Sequence, residues 1–174
     1  MKEHRTRVAL AVALQLLILV GIVGARQWTL STGMVILLET APVDPRDLFR
    51  GDYVILRYKI STLNPGALGS TETFRQGQPV YVGVDQRGEF WTAVSVGSSR
   101  PPTLFLKGTV LRHRNLGPMS SSMSVEYGIE SYFIPEGTGP RIERARERLS
   151  VEVAVGTDGT AVIRRLFIGG VPLK

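Results

Sequence analysis

The spacing of hydrophobic residues changes once along this chain, after residue 27. Residues 8–25, VALAVALQLLILVGIVGA, carry no charge, and Gln15 is their only strongly polar side chain. Such a run predicts a helix of about 27 Å, close to the hydrocarbon thickness of a bilayer. From residue 34 onward, apolar and polar residues alternate between frequent turn residues, which is typical of β-strands. The pattern therefore predicts an apolar helix followed by a β domain.

The alternation also places the strands and turns of the β domain. It predicts strands over 34–40, 52–61 and 103–111, a hairpin over 79–97, and a second hairpin that turns at Asp158-Gly159. The dipeptide Asp-Gly between two alternating runs is the strongest short-range hairpin signal in the chain.

Three further segments depart from the alternation. Residues 140–149 predict a short helix because Pro140 suits a helix start, and the segments 64–78 and 112–123 predict loops because Gly, Ser, Pro and Asn concentrate there. The predicted fold is all-β, a small barrel or sandwich of about 7–9 strands with one short helix, behind an N-terminal transmembrane helix.

Strict alternation further predicts which side chains face the core. In segment 52–61, the inward set is predicted to be Asp52, Val54, Leu56, Tyr58 and Ile60, and the outward set Tyr53, Ile55, Arg57 and Lys59. In hairpin 79–97, the inward sets are predicted to be Val80, Val82 and Val84, then Phe90, Thr92, Val94 and Val96.

Flanking charges predict how the apolar run meets a membrane. Lys2, Arg5 and Arg7 precede the run and only Arg26 follows closely, so the positive-inside rule predicts a cytoplasmic N-terminus. The predicted divisions are a cytoplasmic segment 1–7, a transmembrane anchor 8–25, a spacer 26–33 and an extracytoplasmic domain 34–174.

A signal peptide cleaved after Ala25 is the competing interpretation of the apolar run. The small residues Val23, Gly24 and Ala25 suit a signal peptidase. The run is, however, longer than the apolar core of such peptides, which favours a retained anchor. Both interpretations export the β domain.

Charge and composition exclude several classes of function. The formal charge of +6 falls to +4 without the residues that precede Arg26, and no block of Lys or Arg interleaved with aromatic residues remains. Nucleic-acid binding is therefore not expected. The chain has no cysteine, which excludes disulfides, thiolate metal sites and cysteine nucleophiles.

The stretch APVDPRDLFRGDYVILRY, residues 41–58, concentrates charge just before an apolar strand. One interpretation is a structural corner, with Asp44 as a helix cap, Asp47 near the helix dipole and Gly51 as a left-handed stop. The other is a binding rim in which Arg46 and Arg50 engage a ligand or partner. The two interpretations are compatible.

The residues GDYVILRY, 51–58, resemble the bacterial family named for its GDYXXLXY motif, with Gly51, Asp52, Tyr53, Leu56 and Tyr58 at matching positions. The segments PVDPRDLFR and YGIESYFIPEG, residues 127–137, also resemble that family. The resemblance covers roughly residues 30–170. It implies a small, mostly membrane-anchored bacterial protein without an established activity, often encoded beside multi-spanning membrane proteins.

Candidate catalytic groups are few. The histidines are His4, predicted to be cytoplasmic, and His113, which is predicted to be solvated in a basic loop. Lys107, in an apolar strand, is the candidate base of a Ser-Lys dyad of the signal-peptidase type, which requires a desolvated lysine beside a serine.

A pair of glutamates offers a second option for catalysis. Glu126 and Glu130, together with Tyr132, are predicted to share one face of a strand, with the two glutamate Cα atoms about 6.5–7 Å apart. That spacing suits acid–base catalysis or the binding of a divalent cation. Solvent-facing glutamates paired with arginines are the commoner arrangement.

The sequence thus predicts no catalytic, cofactor-binding or metal-binding residue, and no cofactor. The expected function is a non-enzymatic binding or accessory module for an integral membrane protein, single-pass in a bacterial inner membrane; a hydrolase using Lys107 or the glutamate pair is the alternative. The candidate binding surface comprises Arg46, Asp47, Arg50, Asp52, Tyr53, Tyr58, Lys107, Glu126, Glu130 and Tyr132.

The predicted topology can be tested with a reporter enzyme that is active only in the periplasm. Fused after Lys174, the reporter is expected to be active, because the positive-inside rule places the C-terminal domain outside. The chain is expected to stay in the membrane fraction after an alkaline wash. Release of a soluble fragment that begins at Arg26 would contradict the anchor and support a cleaved signal peptide.

Overall fold

The structure is a computed structural model that describes residues 2–42, 49–50, 53–114, 121–134, 142 and 148–173. The predicted corner from Asp44 to Gly51 lies almost entirely outside these described residues, and so does most of the predicted helix 140–149. Within that predicted helix, Ile142 is buried and Leu149 begins a strand.

A single long helix, α1 (Lys2–Thr32), opens the described part of the chain. Within its segment Thr6–Thr32, an 18-residue window has a mean hydropathy of 2.7, and none of that window is buried inside the molecule. By length and composition this helix could cross a membrane or serve as a signal sequence. Residues 26–32, predicted as a spacer, form its last turns, so that only Gly33 separates α1 from the first strand.

Twelve strands and one 3-10 turn follow in the described residues, and strands make up 47% of the structure. The strands are β1 (Met34–Glu39), β2 (Phe49–Arg50), β3 (Tyr53–Ile55), β4 (Thr62–Leu63), β5 (Pro79–Arg87), β6 (Phe90–Gly97), β7 (Phe105–Arg114), β8 (Ser122–Glu126), β9 (Ser131–Phe133), β10 (Leu149–Val155), β11 (Ala161–Ile168) and β12 (Val171–Pro172). The predicted all-β class, behind one apolar helix, is confirmed.

The strands form three antiparallel sheets that together make a nearly closed barrel. Their strand orders are β1-β10-β11-β12, β2-β3-β9 and β4-β8-β7-β5-β6. Single backbone hydrogen bonds join the sheets at their margins: the Ala41 amide donates to the Arg57 carbonyl at 2.7 Å, and the Lys107 amide to the Gly159 carbonyl at 2.8 Å. The inward side chains of all three sheets form one core.

Segment 52–61 is not one strand, which corrects the prediction. After β3 the chain makes a single bridge from Tyr58 to Thr40 and then a 3-10 turn, Lys59–Ser61, before β4. The turn lies where the chain passes from the three-stranded to the five-stranded sheet. The predicted alternation nevertheless holds, because the side chains of Val54, Leu56, Tyr58 and Ile60 are all buried.

Both predicted hairpins are present. Gly88 and Gly159 take left-handed conformations, with φ of 68° and 84°, at the two turns. In the first hairpin, a bulge pairs Gly83 with Ser95 but Val84 with Ala93. The bulge shifts the alternation by one residue, so Trp91 and Ala93 pack against the core instead of the predicted Thr92 and Val94.

The two predicted loops have different outcomes. Residues 64–78 contain no strand or helix, as predicted. The predicted loop 112–123 is wrong at both ends, because β7 continues to Arg114 and β8 begins at Ser122. The Ser-rich composition concealed β8, whose buried Met123 and Val125 follow the alternation of a strand.

Candidate binding site

The charged stretch before β3 contributes little to the described geometry. Arg46, Asp47 and Asp52 lie outside the described residues, and Arg50 is described only as a backbone position in β2 that pairs with Tyr53. Their part in a binding rim stays a prediction.

Tyr53 is an exposed aromatic residue on the three-stranded sheet. Its ring meets that of Phe133 edge to face, with the ring centroids 5.6 Å apart. The two side chains are 49% and 58% exposed. The neighbouring Tyr132, opposite Val54 in the register of β3 and β9, is half-buried and packs against the core. Tyr53 and Phe133 therefore form a small aromatic patch on the surface.

Tyr58, by contrast, is fully buried and cannot offer surface to a partner, which corrects its place in the predicted binding surface. Its hydroxyl donates to the Ile129 carbonyl at 2.6 Å. In return, the buried Tyr127 hydroxyl donates to the Ile60 carbonyl at 2.6 Å. We call Tyr58 and Tyr127, with these two bonds, the tyrosine pair.

Glu130 does not share a strand with Glu126, because β8 ends at Glu126 and Gly128 takes a left-handed turn with φ of 80°. The Glu130 carboxylate accepts hydrogen bonds from the amides of Tyr127 and Gly128, at 2.6 and 2.8 Å. Burial raises the pKa of this carboxyl, and the two amides oppose that shift. Glu130 therefore holds the turn that carries Tyr127.

Lys107 and Glu126 are both exposed at an open cleft of about 280 Å³. A Ser-Lys dyad needs a desolvated lysine, and the exposed Lys107 lacks that environment. Thr109 and Thr160 supply the hydroxyls that line this cleft. In the described part of the chain, no three His, Cys, Asp or Glu side chains gather in a group that could hold a metal ion.

His113 is not the solvated loop residue that the sequence predicted. It lies near the end of β7 and is half-buried. Its Nδ1 is 3.0 Å from the Phe74 carbonyl and its Nε2 is 3.0 Å from the Ser121 hydroxyl. These contacts join the loop 64–78 to the start of β8, which is a structural role.

A groove of about 740 Å³ lies beside β1, and none of the predicted site residues lines it. Its apolar lining comes from two outward side chains of β1, two at the start of β6 and one of β11: Val35, Leu37, Phe90, Trp91 and Phe167. A volume of this size is typical of ligand and peptide sites. The sequence contains a signal for it, because β1 (MVILLE) is apolar on both faces and a strand apolar on both faces needs a contact on each.

Carboxylates predominate among the ionisable side chains of this groove. Glu39, Glu89 and Glu152 line it, with Arg148 as the cation. Lys59, at the rim, forms an ion pair with Glu39 at 2.6 Å. Arg165 lies opposite Glu152 in the register of β10 and β11. With Lys59 beside Glu39, Arg165 opposite Glu152 and Arg148 in the lining, the charges at the groove nearly balance.

The tyrosine pair predicts a specific loss of stability. Tyr58→Phe and Tyr127→Phe are each expected to lower the free energy of unfolding by about 1–3 kcal/mol, because each leaves a carbonyl without its buried donor. Tyr53→Phe, which removes a hydroxyl at an exposed ring, is the matched control and is expected to change it by less than about 0.5 kcal/mol. Urea denaturation in detergent, followed by circular dichroism, measures all three. Equal losses in all three variants would contradict the structural role of the pair.

The same pair predicts a loss of stability at high pH. Burial, and then the Glu130 charge, raise the pKa of Tyr58 and of Tyr127 above the ordinary value of 10.0. The folded state therefore keeps protons that the unfolded state releases. The contribution of the pair to the free energy of unfolding is thus fully present below about pH 10 and falls as the pH rises above it. Urea midpoints at about pH 8 and about pH 11 are expected to differ less in the Tyr58→Phe/Tyr127→Phe double variant. An unchanged pH dependence in that variant would contradict the assignment.

Comparison with known proteins gives one match. The model of the family described as GDYXXLXY protein matches residues 15–166, from within α1 to Leu166 in β11. No curated protein and no solved structure matches the chain. The matched region includes the motif residues 51–58 and the turn that holds Tyr127. On this match over most of its length, the chain belongs to the GDYXXLXY protein family.

Proposed function

We propose that this protein is a membrane-anchored binding or accessory module, whose β domain lies on the outer side of a bacterial inner membrane and engages an integral membrane protein. The module itself is not an enzyme. The direct junction between α1 and the β domain is the observation that carries this proposal.

The junction is short and closely packed. The Gly33 amide donates to the Thr29 carbonyl at 2.9 Å, so the helix ends one residue before β1. A Cβ atom on Gly33 would lie 2.5 Å from that carbonyl oxygen and 3.0 Å from the carbonyl oxygen of Val155. Backbone atoms at such distances leave no room for a side chain. The close approach therefore favours a fixed helix end over a flexible tether.

The turn between β10 and β11 also contacts the end of the helix. A Cβ atom on Gly156 would lie 3.5 Å from Thr29. Trp28, 71% exposed in the last turns of α1, suits the interface between lipid and water. With the apolar helix in a bilayer, this junction would hold the β domain against the membrane surface, where the accessible partners are membrane proteins.

The candidate catalytic residues do not have the environments that a hydrolase needs. Lys107 is exposed, and the Glu130 carboxylate is engaged by two backbone amides. Proton transfer requires a group that is free to reach the substrate. The binding module is therefore the better-supported function, and Lys107→Ala is expected to leave the cellular function intact.

The proposal predicts that partner capture depends on the rigid junction. Full-length protein, purified in mild detergent from its own cells, is expected to recover a specific integral membrane protein. A flexible insertion of about ten Gly and Ser residues between Thr32 and Gly33 is expected to reduce that recovery at least severalfold, because it frees the domain from the bilayer surface.

The same insertion within loop 64–78 is the matched control, and is expected to preserve recovery, since that loop contains no strand or helix. Repeated recovery of the protein alone, at its cellular abundance, would contradict the binding module. Equal recovery with and without the junction insertion would contradict the role of the junction.

A further inference from the structure

Gln15 is a polar side chain deep within the apolar part of α1. It is the only strongly polar residue from Val8 to Ala25. At about 1.5 Å per residue, Gln15 lies about 10 Å from the Val8 end of this run and about 15 Å from the Ala25 end. A glutamine side chain is too short to reach water from that depth. With α1 across a bilayer, the amide group of Gln15 therefore lies in the hydrocarbon.

This amide group needs a hydrogen-bonding partner there. Within the described part of the chain, the Gln15 side chain is exposed and takes part in no hydrogen bond. The nearby backbone carbonyls of α1 already accept the hydrogen bonds of the helix. Because a polar group without a partner is costly in hydrocarbon, transmembrane helices satisfy such groups with hydrogen bonds to other helices. Gln15 thus calls for a neighbouring helix.

Gln15 also lies on a distinct face of α1. Residues that alternate three and four positions apart share one face of a helix. Through Gln15, this spacing defines a stripe that we call the seam: Val8, Ala11, Gln15, Ile18, Ile22, Ala25, Thr29 and Thr32. All six leucines of α1 lie off the seam. Alanine and threonine let another helix approach closely, whereas leucine matches the lipid chains. The seam is therefore the face of α1 that suits a second helix.

The C-terminal end of the seam leads into a cleft between α1 and the β domain. The cleft has a volume of about 480 Å³, and Ala25, Thr29 and Thr32 of the seam line one wall. Leu104 and the turn between β10 and β11 line the facing wall. One helical turn, about 10 Å across and about 5.4 Å high, occupies about 400 Å³, so the cleft has room for the end of one helix.

The junction at Gly33 decides which helix fits this cleft. A second copy of this chain, packed in parallel along the whole seam, would bring its own Thr29 and Thr32 into the cleft. Its β domain would follow at once, because β1 begins at Met34. The turn between β10 and β11 already occupies that space, since a Cβ atom on Gly156 would lie 3.5 Å from Thr29. A helix without such a domain has no corresponding clash.

We propose that the seam of α1 binds a transmembrane helix of the partner protein, which forms a hydrogen bond with the Gln15 amide group and ends in the cleft beside Ala25. This inference rests on the proposed function for the position of α1 in the membrane and for the partner as an integral membrane protein. It adds that recognition takes place within the bilayer, through a polar side chain of the partner helix opposite Gln15.

Photo-crosslinking in intact cells tests which face of α1 meets the partner. Full-length protein that carries p-benzoylphenylalanine in place of Ile18 or Ile22, both on the seam, is expected to cross-link to one integral membrane protein. The same residue in place of Val20 is the matched control. Its yield is expected to be at least about tenfold lower, because two positions turn a helix by about 200°. The adducts are purified under denaturing conditions and their masses measured.

Variants of Gln15 test the hydrogen bond. Gln15→Leu is expected to lower the yield from position 22 severalfold, because leucine offers no hydrogen bond. Gln15→Asn keeps an amide group and is expected to retain most of the yield. Gln15→Leu combined with Val20→Gln moves the amide group to the opposite face and is not expected to restore it. None of these changes touches the β domain, because the membrane-spanning window of α1 is not buried against it.

Four results would overturn the proposal: no adduct from either seam position, an equal yield from position 20, an equal yield with Gln15→Leu, or an adduct with the mass of two copies of this chain. The last would assign the seam to a second copy. The proposed function fails by a different result, when full-length protein recovers no integral membrane protein in detergent. Recovery that survives Gln15→Leu, with no adduct from the seam, would confirm the binding module and assign its contacts to the β domain.

Discussion

The reciprocal hydrogen bonds of the tyrosine pair join the two places where the chain crosses between the three-stranded and the five-stranded sheet. The first crossing leads from β3 to β4, and the second from β8 to β9; both connect the three-stranded with the five-stranded sheet. Tyr58 at the first crossing bonds to a carbonyl of the second, and Tyr127 at the second bonds to a carbonyl of the first. Neither crossing can therefore move without breaking a buried hydrogen bond, and the Glu130 carboxylate fixes the backbone of the second.

This arrangement indicates a structural role for the described residues of the motif GDYVILRY. Leu56 and Tyr58 are buried, and Tyr53 alone among the described motif aromatics reaches the surface. The groove beside β1 is lined by residues outside this motif. β1 pairs with β10 along one edge and contacts β6, a strand of another sheet.

The sequence predicted the features that depend on neighbours in the chain. Alternation identified the buried faces of Val54 and Leu56, and Asp158-Gly159 identified a hairpin, because side-chain direction and turn conformation are local properties. It missed the 3-10 turn after Tyr58, the bulge opposite Gly83 and the groove. Each of these depends on how strands meet in three dimensions: the turn on a change of sheet, the bulge on register, and the groove on the approach of the β5–β6 hairpin to β1 and β10. The outward apolar side chains of β1 were the one local sign of the groove.

The two tyrosines act together to hold the crossings, and a double-mutant cycle of Tyr58→Phe and Tyr127→Phe measures their coupling. Urea denaturation of the four proteins in detergent gives the coupling energy between the two hydroxyls. Because the bonds share one pair of segments, the two losses are expected not to add, with a coupling energy of about 0.5–3 kcal/mol. Losses that add to within about 0.3 kcal/mol would contradict it, since that is the behaviour of independent sites.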